Sequence, residues 1–89
     1  MKLYELSVIF KPDLTEKERD AIMDELSLDI DNRQVIGTRL LAYPIKKNKE
    51  GYYIFYDVKL DGKNIKKLEQ SLNREESIIR YLLIDKEGA

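Results

Sequence analysis

The 89-residue chain contains no cysteine and no histidine. Without cysteine there is neither a disulfide framework nor a thiolate metal site, which suits a reducing cytoplasm. Without histidine no side chain has an unperturbed pKa matched to proton transfer near neutrality. Net charge is also scant: 16 basic against 17 acidic residues leave −1, so bulk electrostatics do not mark a strongly basic nucleic-acid binder. A long apolar run is missing, and the start Met1-Lys2-Leu3-Tyr4-Glu5 brings a carboxylate in early, which excludes an ordinary signal peptide or membrane span. The expectation is a cytoplasmic protein with no membrane partner. What the chain does have is 43% hydrophobic and 37% charged residues, enough to fold and to cover the surface densely with charge. A chain of this length buries roughly 60 to 65% of its unfolded surface. The whole of 1–89 is read as one domain.

Charge is distributed unevenly. From Asp13 to Asp31 there are eight acidic residues and two basic ones, whereas Asn32 to Gln70 holds nine basic and four acidic. A polyanion would meet the second segment while the first faces away.

Periodicity orders the chain as strand, helix, strand, strand, helix, strand. Tyr4, Leu6, Val8 and Phe10 share one face of a first strand by the two-residue repeat. Pro12 and Asp13 end it, and Thr15-Glu16-Lys17-Glu18 matches a capping box that starts a helix. Ile22, Met23 and Leu26, continued by Ile30, give that helix an apolar stripe with Lys17, Asp20 and Asp24 in water, and it is predicted to end near Leu28. Arg33–Ile45 is the second strand, bent at Gly37 and placed at an edge by Pro44. Tyr52–Leu60 is the third, with Ile54, Tyr56, Val58 and Leu60 facing the core. Asp61 is expected to cap a second helix whose Ile65, Leu68 and Leu72 share a face, and Ile78–Ile84 forms the last strand. Two strand-helix-strand units in tandem give an α+β, ferredoxin-like βαββαβ fold, a four-stranded antiparallel sheet with two helices on one face. The uncovered face would carry Ile9, Tyr53, Phe55, Arg80, Leu82 and Ile84, more apolar surface than a lone domain usually shows and a docking face for protein or RNA.

Motifs for catalysis fail on inspection. Asp29-Ile-Asp-Asn-Arg begins like a calcium loop, but Arg33 stands at a ligand position and the glycine after it is missing, so it reads as a connection between helix and strand. Asp61-Gly-Lys-Asn lacks the spacing of a phosphate-binding P-loop. No carboxylates are spaced as an acid/base pair. The sequence therefore points to no catalytic residue, metal, cofactor or small-molecule substrate.

The segment Gly37–Tyr56 is richer. Two aromatic and aliphatic stretches flank Lys46-Lys47-Asn48-Lys49-Glu50-Gly51, which reads as two antiparallel strands joined by a cationic turn and as an RNA-facing surface. The run Gly-Thr-Arg-Leu-Leu-Ala-Tyr-Pro-Ile, continued by the two lysines and Gly51-Tyr52-Tyr53, resembles the signature of the sixth protein of the bacterial small ribosomal subunit. The likeness extends from Tyr4-Glu5 and Lys11-Pro-Asp-Leu14 to Ile78-Ile-Arg-Tyr-Leu82, nearly the whole chain.

That resemblance implies a ferredoxin-like, non-enzymatic protein of the cytoplasmic ribosome. It implies binding to small-subunit ribosomal RNA in the platform together with small-subunit ribosomal protein eighteen. It places RNA contacts at Arg80 and, by looser correspondence, at Lys2, Lys46, Lys47 and Arg74, and a partner-facing second strand at Gly37, Arg39 and Leu41–Tyr43. The exposed aromatics Tyr53 and Phe55 extend the partner surface. The chain departs from the pattern at Leu40, where a second basic residue is common, and at Asp31-Asn32, where a longer glycine-containing turn is usual. The long polar tail of many members is missing, as the sequence stops at Ala89. The alternative class, a small enzyme resembling acylphosphatase, needs a glycine-rich anion loop after the first strand, where this chain has Lys11-Pro-Asp-Leu. A metal-carrier domain would need a Cys-x-x-Cys pair.

Overall fold

The structure, a computed structural model, describes residues 2–86. The order is β1 (Lys2–Phe10), α1 (Glu16–Glu25), β2 (Asp29–Ile45), β3 (Asn48–Leu60), α2 (Ile65–Arg74) and β4 (Ile78–Asp85), with a short 3₁₀ turn at Gly62–Asn64 leading into α2. The four strands form one sheet in the order β2-β3-β1-β4, every neighbouring pair antiparallel. This is the ferredoxin-like arrangement that the residue pattern predicts.

Two-residue alternation builds the core. Tyr4, Leu6, Val8 and Phe10 of β1 and Ile54, Tyr56, Val58 and Leu60 of β3 are all buried, against Met23 of α1 and Leu68 and Leu72 of α2. Each such side chain contributes roughly 1.5 to 3 kcal/mol by leaving water. The capping box at α1 is present: Thr15 Oγ1 accepts from the Glu18 amide at 3.2 Å and Glu18 Oε1 accepts from the Thr15 amide at 2.9 Å. That backbone hydrogen bond from Thr15, more than the side-chain one, holds the Glu18 carboxyl below its ordinary value.

Several boundaries differ from the sequence reading. Helix α1 ends at Glu25, because Ser27 takes a left-handed backbone (φ +52°) just past the Leu26 cap and turns the chain back to the sheet. Ile30 therefore lies on β2 opposite Val58, outside the helical stripe, and Asp29–Arg33 opens the strand instead of connecting to it. The link to β2 is Leu26–Leu28, upstream of Asp31-Asn32. Asp61 makes no side-chain cap; its carbonyl accepts from Asn64 N–H at 2.9 Å in the 3₁₀ turn. The basic segment after Ile45 is mostly strand, as only Lys46 and Lys47 separate the paired Ile45 and Asn48.

Strand β2 is an edge strand, as Pro44 predicts, and its register with β3 shifts three times. One shift falls between Val35 and Gly37, where Gly37 has φ +96°, a conformation open to glycine. Another leaves Leu41–Pro44 unpaired. Past Phe10 and its partner Tyr52, the β2–β3 hairpin has no β1 beside it. It bends over the end of the sheet, bringing Lys46 Nζ to 3.5 Å from Ile78 O. Gly51 permits the bend, because a Cβ there would collide with Ile9 Cγ2. Arg19 of α1, which the residue pattern does not single out, is buried: Nη1 donates to Leu14 O at 2.7 Å and its guanidinium lies 3.7 Å over the Tyr52 ring.

Candidate nucleic-acid and protein interface

Both helices pack on one side of the sheet, so the side chains that alternate with the core residues remain on an uncovered face. Strand register sorts them into rows. Ile9 lies between Tyr53 and Arg80, Ser7 between Phe55 and Leu82, and Glu5 between Asp57 and Ile84. Ser7 is small and its neighbours are large, so the middle row dips. The dip is a cavity of about 320 Å³ lined by Ser7, Ile9, Tyr53, Phe55, Arg80 and Leu82, among others. Leu82 and Ile84 are exposed, and Tyr53 and Phe55 are half-buried. The face is graded: aromatic and cationic toward the hairpin, carboxylate-bearing at the far end, where Asp57 pairs with Lys86 Nζ at 3.1 Å.

The five basic residues singled out by sequence do not form one cluster. Lys46 and Arg80 line a second cavity of about 250 Å³ between the hairpin tip, the end of α2 and the start of β4. Lys47 is exposed beside Lys46 in the turn. Lys2 is at the opposite end of β1, its Nζ 3.4 Å from Asp85 Oδ2. Arg74 sits in the last turn of α2 and lines a groove between the helices with Ile22, Glu25 and Leu26. Arg80 and Tyr81 line both cavities, so the cationic and aromatic sets adjoin along β4.

The partner set also divides. Tyr53 and Phe55 are on the uncovered face, whereas Arg39 and Tyr43 lie along the projecting hairpin. Arg39 is opposite Gly51 and donates Nη1 to Thr38 O at 2.9 Å. Tyr43 is 64% exposed within the unpaired stretch of β2, and Leu40, the departure from the family pattern, is 79% exposed. Leu40 therefore adds apolar surface to the hairpin. Sequence reasoning missed Ser7 and Asn73, which line the two cavities. Ser7 becomes informative only when the strand order sets it between Phe55 and Leu82. Among the described residues no group of three or more carboxylates is placed to hold a metal ion, and no helix is long and apolar enough to cross a membrane.

Known proteins resemble this chain over nearly its full length. Residues 3–85 match the family model described as ribosomal protein S6. The small ribosomal subunit protein bS6 of Synechococcus sp. (strain CC9902) is 39% identical over 96% of this chain and 73% of its own length. The bS6 protein of Fusobacterium nucleatum subsp. nucleatum is 31% identical, over 94% of this chain and 97% of its own. The crystal structure of 30S ribosomal protein S6 from Thermotoga maritima superposes with a TM-score of 0.81 at 29% identity, covering 96% of this chain and 87% of that one.

Proposed function

Because the chain belongs to the ribosomal protein S6 family, we propose that it is a structural component of the small ribosomal subunit that binds the subunit's RNA together with small-subunit protein eighteen and catalyses no reaction. It does so in the cytoplasm, as a single domain of residues 1–89. The supporting observation is the face on which Tyr53, Ile9 and Arg80 form one row and Phe55, Ser7 and Leu82 the next, bordered by the lysine turn. Lys46, Lys47 and Arg80 neutralise phosphates and set the orientation on RNA, with Lys2 and Arg74 as outlying contacts. Tyr53, Phe55, Arg39 and Tyr43 hold the protein partner, since aromatics and arginine join large contact area to directional bonding. The acylphosphatase alternative gains nothing from the fold. Its anion loop would need free amides after β1, and the Lys11 amide already donates to Ser77 O at 2.9 Å.

Capture of protein eighteen by the folded double variant Tyr43→Ala, Phe55→Ala tests the partner face. Binding should weaken at least about tenfold, since two truncated anchors at roughly 1 kcal/mol or more each exceed that factor. Undiminished capture would move the interface elsewhere, and absence of the chain from assembled small subunits would overturn the whole assignment.

A further inference from the structure

Lys46 and Lys47 are the central residues of a two-residue hairpin turn, and both have positive φ, +50° and +67°. That is the pattern of a type I′ turn, where asparagine and glycine are favoured because other L side chains crowd the backbone. Lysine has no such preference. The turn is nonetheless braced: Asn48 Nδ2 donates to Lys46 O at 3.1 Å and to Ile45 O at 3.4 Å. One of the strained lysines is also aimed, with its Nζ laid across the end of the sheet toward Ile78 O. There it shares the rim of the 250 Å³ cavity with Arg80 and Asn73, over a recess closed by the buried Leu72, Ile78 and Ile79 and flanked by the half-buried Tyr81. Strain that persists in a braced, charged turn points to a group held in place for binding.

The shape of the cavity selects among RNA ligands. Its volume is below that of sites that engulf drug-sized molecules. A continuous A-form duplex offers phosphates but keeps its bases stacked and its deep groove closed to side chains. Against such a duplex the recess and the Asn73 amide would have nothing to bind. A nucleotide turned out of the stack supplies both halves: phosphate for the cations, and a polar base edge that can enter the recess and meet the Asn73 amide. Resting on the reading of the chain as RNA-binding, we infer that the Lys46–Lys47 turn and the Arg80 cavity clamp one unpaired nucleotide.

The double variant Lys46→Asn, Lys47→Gly gives the turn its favoured residues while removing both charges, so stability and binding should move in opposite directions. Tm should rise by about 4 °C or more. With protein eighteen present, affinity for a synthetic RNA stem bearing a single bulged adenosine should fall about tenfold or more. Its log–log salt slope should become shallower by about 1.4 to 1.8, for two lost phosphate contacts. The parent chain should prefer the bulged stem to a fully paired stem of equal length, and both the double variant and Arg80→Ala should lose that preference. A variant that melts lower, or binds the bulged stem as well as the parent, overturns the clamp. So does a parent chain that binds ribosomal RNA yet treats the two stems alike. If the parent binds neither the stems nor small-subunit ribosomal RNA, the RNA-binding reading itself fails, and the clamp with it.

Discussion

Arg19 shows how one side chain can serve the fold while looking like surface charge. It is 8% exposed, and it joins the loop before α1 to the aromatic ring of Tyr52 on β3. A charged hydrogen bond and a stacked guanidinium together favour the fold by about 1 to 3 kcal/mol, so Arg19→Met should lose that much in a denaturant titration despite keeping the apolar stem. The Tyr56 hydroxyl is buried without a hydrogen bond to another protein group. Burial pushes its pKa up to about 12 from an ordinary 10.0. Between those values the unfolded chain has released the proton and the folded chain still holds it, so stability falls as pH rises through that window. Tyr56→Phe should abolish that alkaline loss in melts run from pH 9 upward, and should stay within about 1 kcal/mol of the parent at neutral pH because no protein hydrogen bond is removed. Glu18 acts in the opposite sense. Its carboxyl titrates below 4.5 in the folded chain, so the unfolded state takes up protons first on acidification. Its contribution is whole above that value and declines as pH falls through the folded one. Glu18→Gln should remove this acid limb in melts across acidic pH, whereas Thr15→Ala, which keeps the Thr15 amide, should only reduce it.

Secondary-structure elements were legible wherever an apolar repeat was pinned by a specific terminal residue. The Thr15–Glu18 capping box located the start of α1 because both partners are local in sequence. Its end was obscure because Ser27 adopts the left-handed conformation that glycine normally advertises, and Ile30 continued the helical spacing by chance. The opening of β2 was lost because Asp29–Arg33 is exposed and, apart from Ile30, polar, with no apolar alternation to mark it. In α2 the stripe of Ile65, Leu68 and Leu72 was sound, and Leu68 is 6% exposed. Leu68→Ala should therefore destabilise by about 2 to 5 kcal/mol, whereas Lys49→Ala on the projecting hairpin should change stability by less than about 0.5 kcal/mol. Equal losses in urea would contradict the packing of α2. The two cavities were beyond the sequence because each draws on strands distant in the chain. Alternation showed that Tyr53 and Phe55 share a face, but only the β3-β1-β4 order sets Ser7 and Arg80 beside them.

Over the whole molecule, the charge division seen along the sequence carries into space only in part, because Lys66 and Lys67 of α2 lie on the same side of the sheet as acidic α1. The acidic helix α1 covers one side of the sheet, and the Lys46–Arg80 end belongs to the uncovered side and the hairpin. If RNA meets that end, Arg80→Ala should weaken binding to bulged RNA whatever its base sequence and flatten the salt dependence. Asp24→Lys should act only through long-range attraction, mostly screened beyond roughly 8 to 10 Å at physiological salt. Asp24 is a better control than Asp20, which pairs with Arg33 at 3.0 Å and would disturb the fold locally. RNA titrations of both variants across a salt series decide the orientation. Should Asp24→Lys shift the slope while Arg80→Ala leaves it unchanged, the domain faces the other way.

The broken register of β2 has a bearing on life outside the ribosome. Val35 and Leu40 are bare on a sheet edge, the kind of border onto which another chain can add and start polymerisation. Yet its longest unshifted pairings, Asn32–Val35 and Gly37–Leu40, are four residues each. Such short, twisted lengths make a poor seed for fibril growth. A copy outside an assembled subunit thus carries an exposed apolar border without a long register along which to propagate on itself.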